Sequence, residues 1–259
     1  MIAFKIQGGL CNQLFQWAFG YSLSKKFNTK VYYDINWFNG ENYIDPRTDV
    51  REFCLPNLLN IEIPLITQEV ANEFQSKPQQ VIYEPSSYLN FDYNDQYSYY
   101  FIGYWQNEKY IQDIREDVLS FIDFNIGHDF NFKDSCSLHV RRGDYLNVSH
   151  IHTIQPIDYY QKALDIIQPK GNLFIFSDDI NWCKENFKFE KMVFMEDNSN
   201  INDLKFMSLC ENNIIANSSF SWMGAWLNQN KNKKVVFPKQ WFGDRENTSN
   251  TKPQEWIEL

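Results

Sequence analysis

The sequence lacks any apolar run of the roughly 18 residues that a membrane-spanning helix needs, and it opens on Met1-Ile2-Ala3-Phe4-Lys5-Ile6, a strand pattern rather than a charged start followed by a long hydrophobic signal. A transmembrane or secreted protein is therefore not expected, and the expected place is the cytosol. The 5 cysteines, Cys11, Cys54, Cys136, Cys183 and Cys210, are odd in number, widely spread and form no Cys-x-x-Cys pair, which argues against a disulfide framework or a zinc site and for buried free thiols. Basic charge is in deficit. With 24 Lys and Arg against 33 Asp and Glu the net charge is −9, so a general nucleic-acid binder, which needs a concentrated basic surface, is excluded. No Asp-x-Asp triplet is present of the kind that holds a divalent cation on a diphosphate, and His150 and His152 stand two apart without companion ligands, so no metal is expected. There is no internal repeat and no low-complexity tract. The sequons at Asn147, Asn217 and Asn247 are what an Asn-rich chain produces by chance and a cytosolic one cannot use; Lys231-Asn232-Lys233-Lys234 reads as a solvated turn.

What is present is apolar and aromatic residues, 43% and 17% of 259 residues, enough for a substantial core in one large or two small domains. The first segment reads as strand Ile2 to Ile6, a Gly8-Gly9 turn, and a helix with Leu14, Trp17 and Tyr21 on one stripe and Asn12 as its cap, followed by a strand at Val31 to Tyr33. From Asp34 to Gln106 the chain is aromatic and irregular, suited to shaping a pocket for a second substrate. After Gly127-His128 the alternation returns: strand Ser137 to Val140, helix Pro156 to Ile167, strand Leu173 to Phe176, helix Trp182 to Phe187, strand Met192 to Met195, helix Leu204 to Cys210, strand Ile214 to Ala216, helix Phe220 to Leu227 and strand Val235 to Phe237. The class is α/β.

Three of these strands run into polar groups with chemistry. Val140 leads into Arg141-Arg142-Gly143-Asp144, Phe176 into Ser177-Asp178-Asp179, and Ala216 into Asn217-Ser218-Ser219-Phe220-Ser221. In an open parallel sheet all three face one edge, where ligands bind. Two planar guanidinium groups suit bidentate capture of phosphate oxygens, and the serine cluster opens a helix whose free N–H groups and dipole attract anions. Taken singly, each feature has an ordinary explanation: an arginine paired with a surface acid, a serine capping a helix, an aspartate at a helix start. Their convergence on one edge points instead to a phosphate site, with Asp178 and Asp179 able to accept from a base or ribose hydroxyl. Strand alternation puts His139 and Arg141 on one sheet face.

Gly8-Gly9-Leu10-Cys11-Asn12-Gln13-Leu14-Phe15-Gln16, His139-Val140-Arg141-Arg142-Gly143-Asp144-Tyr145, Phe176-Ser177-Asp178-Asp179 with Trp182, and Asn217-Ser218-Ser219-Phe220-Ser221-Trp222 with Trp226 together resemble the bacterial α-1,2-fucosyltransferases of glycosyltransferase family 11. The order and spacing agree to about residue 230. The departure is Cys11, where the family usually has glycine; a need for positive φ there would strain a cysteine. The resemblance implies a GT-B-like fold of two Rossmann-like domains, 1–128 on the acceptor side and 129–259 holding the donor nucleotide. It implies GDP-fucose as donor substrate with no cofactor and no metal, a galactose-terminated glycan as acceptor, inversion at the anomeric carbon, and at most peripheral contact with the inner face of a bacterial membrane. It assigns Arg141, with Arg142 beside it, to the donor phosphates. Gly9, Asn12 and Gln13 near the donor, His139, Asp178, Asp179, Ser218, Ser219, Phe220 and Ser221 complete the expected binding set. Asp144 is the candidate base or, alternatively, the partner that aligns Arg141 or Arg142. Other readings are a transferase of GDP-mannose or another GDP-sugar, and a catalytically idle glycan or nucleotide-sugar binder using Trp37, Tyr43, Tyr83, Tyr99 and Trp105 as a stacking surface.

Overall fold

The computed structural model describes residues 1–39, 51–147, 152–243 and 252–259. His150, Tyr43 and the sequon at Asn247 lie outside the described residues. The chain divides into two compact units, Met1–Asp123 and Phe124–Leu259, and each holds one all-parallel sheet. Among the described residues no helix is long and apolar enough to cross a membrane.

In the first unit β1 (Ile2–Lys5), α1 (Leu10–Phe27) and β2 (Val31–Asp34) form the expected opening. The segment expected to be irregular is more ordered than its sequence suggests, with α2 (Leu55–Leu58), α3 (Gln68–Gln75), β3 (Gln79–Tyr83) and β4 (Ser98–Ile102), before α4 (Arg115–Ser120) closes the unit. β3 is largely exposed, so burial imposes no clear alternation on its sequence. The sheet order is β2-β1-β4-β3. Phe4 of β1 stacks on Phe101 of β4 at 4.5 Å between centroids, and Phe19 of α1 packs edge-on to both. These buried rings, with Trp105 and Tyr110, are the core of the unit.

The second unit is built from β5 (Cys136–Val140), α5 (Ile157–Ile167), β6 (Leu173–Ser177), α6 (Ile180–Asn186), β7 (Met192–Phe194), α7 (Asn200–Leu209), β8 (Asn212–Ile214), α8 (Ser219–Leu227), β9 (Val235–Phe237) and β10 (Ile257–Glu258). β8 sits two residues earlier than expected, and the short β10 carries too little pattern to be read from sequence. Period-two alternation sorts the side chains: Leu138, Val140 and Ile175 pack with Tyr159 and Tyr160 of α5 on one face, Phe174 and Phe176 with Phe206 and Met207 of α7 on the other. The order is β10-β9-β8-β5-β6-β7. The chain therefore starts in mid-sheet at β5, winds outward through β6 and β7, and returns to β8 on the other side of β5. That reversal opens a crevice between the carboxyl ends of β5 and β8, the place where parallel sheets bind ligands.

Candidate functional site

All three polar motifs expected at the sheet edge of the second unit meet at this reversal. Arg141 leaves β5 held by two carboxylates: Nη2 lies 2.7 Å from Asp144 Oδ1 and Nη1 3.0 Å from Asp178 Oδ2. Arg142 donates from its backbone N–H to Asp178 Oδ1 at 2.9 Å and from Nε to Asp179 Oδ2 at 3.1 Å. Its guanidinium lies 4.0 Å over the ring of Trp182. Among the described residues its two Nη atoms bond nothing, so a fork of donors is left open. Gly143 is required in this turn, because a Cβ there would come 2.5 Å from Asp178 Oδ2. Asp179 also caps α6, accepting from Trp182 N at 3.2 Å. Every oxygen of Asp178 and Asp179 thus has a hydrogen-bond or ion-pair partner, and these carboxylates hold the two arginines in place.

The β8 side supplies the start of α8, capped by Ser218, whose hydroxyl accepts from Phe220 N at 3.3 Å. Ser221 is buried and its Oγ lies 2.9 Å from His139 Nδ1, joining the ends of α8 and β5. Burial, with Arg141 as a lesser cause, lowers the His139 pKa to about 3, so the ring is neutral at ordinary pH. Tyr145 donates to the Asn217 carbonyl at 3.0 Å, and burial pushes its phenol up to about 12; His152 stacks on its ring at 4.4 Å. Ser219 and Phe220 occupy the first turn of α8, half-buried. The helix behind them is buried on nearly all sides, Trp222, Met223, Trp226 and Leu227 included, and Lys233 closes its far end by donating to the Ala225 carbonyl at 2.9 Å. That lysine belongs to the stretch read as a solvated turn.

Gly9, Asn12 and Gln13 belong to the first unit. Gly8 takes a φ of +80°, the one position of the motif that needs glycine's freedom. Gly9 is the cap residue of α1, with no side-chain cap, and Asn12, expected to cap the helix, instead accepts from Gln106 Nε2 at 2.8 Å. Cys11 lies inside α1 with no positive φ, so the departure from the family's glycine costs no backbone strain. Gln13 donates to the Gly8 and Glu52 carbonyls, and Gln16 accepts from Gln7 N at 2.9 Å while donating to the Gly103 carbonyl at 2.9 Å. Gln16, Gln106 and Trp182 are parts of these networks that were not singled out as site residues. A buried glutamine in an apolar helix stripe was the available signal. All five cysteines are free, four buried and Cys54 half-buried. Of the rings expected as a stacking surface, Tyr99 and Trp105 are core and Tyr83 is open.

The family model for glycosyl transferase family 11 matches residues 1–259. An α-1,2-colitosyltransferase of Escherichia coli is 31% identical over 100% of this chain and 99% of its own length; an O-antigen biosynthesis glycosyltransferase of the same species, WbnK, is 29% identical over 98% and 99%. Among solved structures, the α-1,6-fucosyltransferase NodZ with GDP aligns with a TM-score of 0.48 at 12% identity, over 86% of this chain and 91% of that one. A match that spans every motif described above, in both units, makes this chain a member of glycosyl transferase family 11.

Proposed function

We propose that the chain transfers L-fucose from GDP-fucose to O2 of a terminal galactose in a glycan, with inversion and without a metal ion. The observation that carries this reading is the pair of preoriented arginines beside the start of α8 at the β5–β8 reversal. As the acceptor oxygen bonds to fucose C1 and gives up its proton to water, the bond from C1 to the β-phosphate oxygen breaks and its electron pair leaves with GDP. Arg141 and the first N–H groups of α8 meet the charge that develops on that phosphate, and Arg142 offers its open fork to the diphosphate. Asp144, engaged by Arg141 at 2.7 Å, serves as the partner that aligns the arginine rather than as the base. The first unit takes the acceptor side, and the enzyme works at the inner face of a bacterial membrane on surface-polysaccharide precursors. That two relatives are named for O-antigen biosynthesis and α-1,2 transfer supports this setting.

The test is GDP release from GDP-fucose in EDTA, with and without lactose. Acceptor-dependent release is expected. Arg141→Ala lowers it by about a hundred to a thousandfold, the value of one preorganised donor at developing charge, and Arg141→Lys recovers little because the fork is lost. Near-normal turnover by a folded Arg141→Ala protein overturns the assignment. A second reading is favoured by the relative named for colitose: another GDP-sugar as donor, decided by running GDP-mannose and a deoxysugar donor beside GDP-fucose.

A further inference from the structure

The first unit has a reversal of its own. β1 leads to β2 on one side, and the chain then returns through β3 to β4 on the other side of β1, so its crevice lies between the carboxyl ends of β1 and β4. Gly8-Gly9 follows β1 and Gly103-Tyr104-Trp105-Gln106 follows β4; Asn12 to Gln106 and Gln16 to Gly103 join the two. Glu84, next after β3, closes this corner. Its Oε2 accepts from Tyr104 N at 2.7 Å, and the amides of Trp105 and Gln106 are also directed at the carboxylate. A Cβ at Gly103 would collide with Glu84, which fixes glycine there. Trp105 holds a φ of +56°, a conformation that costs a bulky residue strain and that clusters at functional sites.

Glu84 is exposed along its stem while burial around its carboxyl raises its pKa above the ordinary carboxylate value, and exposed rings of the unit lie near it in sequence: Tyr83 is 68% exposed, Tyr88 44% and Tyr104 42%. Tyr88 stacks on Tyr110, whose phenol feels the Glu84 charge. Tyr88 has one partner in Tyr110 and Lys109 Nζ 5.8 Å from its ring centroid, but exposed aromatic surface beside a carboxylate suits a sugar, which presents C–H faces to the rings and hydroxyls to the carboxylate. Negative charge at this point disfavours an acidic sugar.

We propose that Glu84 is an acceptor-binding residue: at the β1–β4 edge, with Tyr88 and Tyr104, its carboxylate takes hydrogen bonds from hydroxyls of an uncharged galactoside. The choice of galactoside rests on the transfer reaction proposed above. The test is binding of lactose and N-acetyllactosamine to the whole chain by ligand-observed NMR without nucleotide, and of GDP by calorimetry, for wild type, Glu84→Gln and Tyr104→Leu. Glu84→Gln keeps an acceptor for Tyr104 N but loses the charge and one acceptor oxygen, and is expected to weaken disaccharide binding about tenfold or more with GDP affinity unchanged. Tyr104→Leu, which leaves the backbone bond to Glu84 in place, shows the same pattern and carries the test alone if Glu84→Gln does not fold. Wild-type-like disaccharide binding by the variants, loss of GDP affinity and melting temperature in parallel, or no disaccharide binding by the wild type overturns the inference. Glu84-dependent binding without transfer from any GDP-sugar upholds it and refutes the transferase reading. Transfer with an unchanged acceptor KM in Glu84→Gln does the reverse.

Discussion

At the scale of the residue, the site is a set of charges whose partners were named by the sequence but whose pairing was not. That Arg141 and Arg142 stand at a strand end is visible in seven consecutive letters. That Asp178, 36 residues after Arg142, bonds the backbone of one arginine and the guanidinium of its neighbour depends on β5 and β6 lying side by side. His139 makes the clearest prediction. Its pKa of about 3 in the fold lies below the ordinary 6.5, so below pH 6.5 the unfolded chain binds a proton that the folded chain refuses until pH falls to about 3. Stability is complete above pH 6.5 and is lost on the way down, by roughly 1 to 2 kcal/mol at pH 5. His139→Gln, which keeps a hydrogen-bonding partner for Ser221 without titrating, should show a shallower fall in melting temperature between pH 7 and pH 5 than the wild type. Parallel curves would mean that the imidazole is not held neutral by burial.

At the scale of the element, the helices and buried strands of the second unit were legible because their apolar residues recur at helical or strand periods between polar turns. The strands of the first unit's second half were not, since exposed β3 pairs with aromatic β4, and β4 with β1, through contacts far apart in sequence. α8 illustrates what a sequence shows and what it withholds. Its two apolar stripes predicted burial on two sides; the reason Gly224 stands between them is the passage of α7, since a Cβ on Gly224 would come 2.9 Å from Met207 Cβ. The clash is with a side-chain root that cannot swing away. Gly224→Val is expected to push α7 and α8 apart at a cost of about 1 to 3 kcal/mol, lowering the melting temperature by several degrees and, because α8 opens at the edge proposed for the donor, weakening GDP binding. Unchanged melting would show that Met207 repacks and that this interface is not tight.

At the scale of the whole molecule, the same topological device occurs in each unit, a parallel sheet entered in its middle and reversed about its first strand, and at both reversals a glycine-bearing turn meets buried amides or paired charges. What differs is the chemistry: arginines and a helix start in the second unit, a carboxylate among open tyrosines in the first. The open guanidinium donors of Arg142 at one edge and the carboxylate at the other fit two different ligands better than one extended one, the proposed nucleotide and the proposed sugar. Arg141, Arg142, Asp144, Asp178, Asp179 and the start of α8 all lie within Phe124–Leu259, a unit with its own sheet and core on both faces. A unit with its own sheet and core is expected to fold alone. Expressed as residues 124–259, it should therefore bind GDP within about tenfold of the whole chain, a difference of about 1.4 kcal/mol, while transferring no sugar. Calorimetry on the folded fragment decides the matter: affinity lost by more than a hundredfold would mean that the Gly9-Asn12-Gln13 turn of the first unit is part of the nucleotide site, and that the division of labour between the two edges is less complete than their charges suggest.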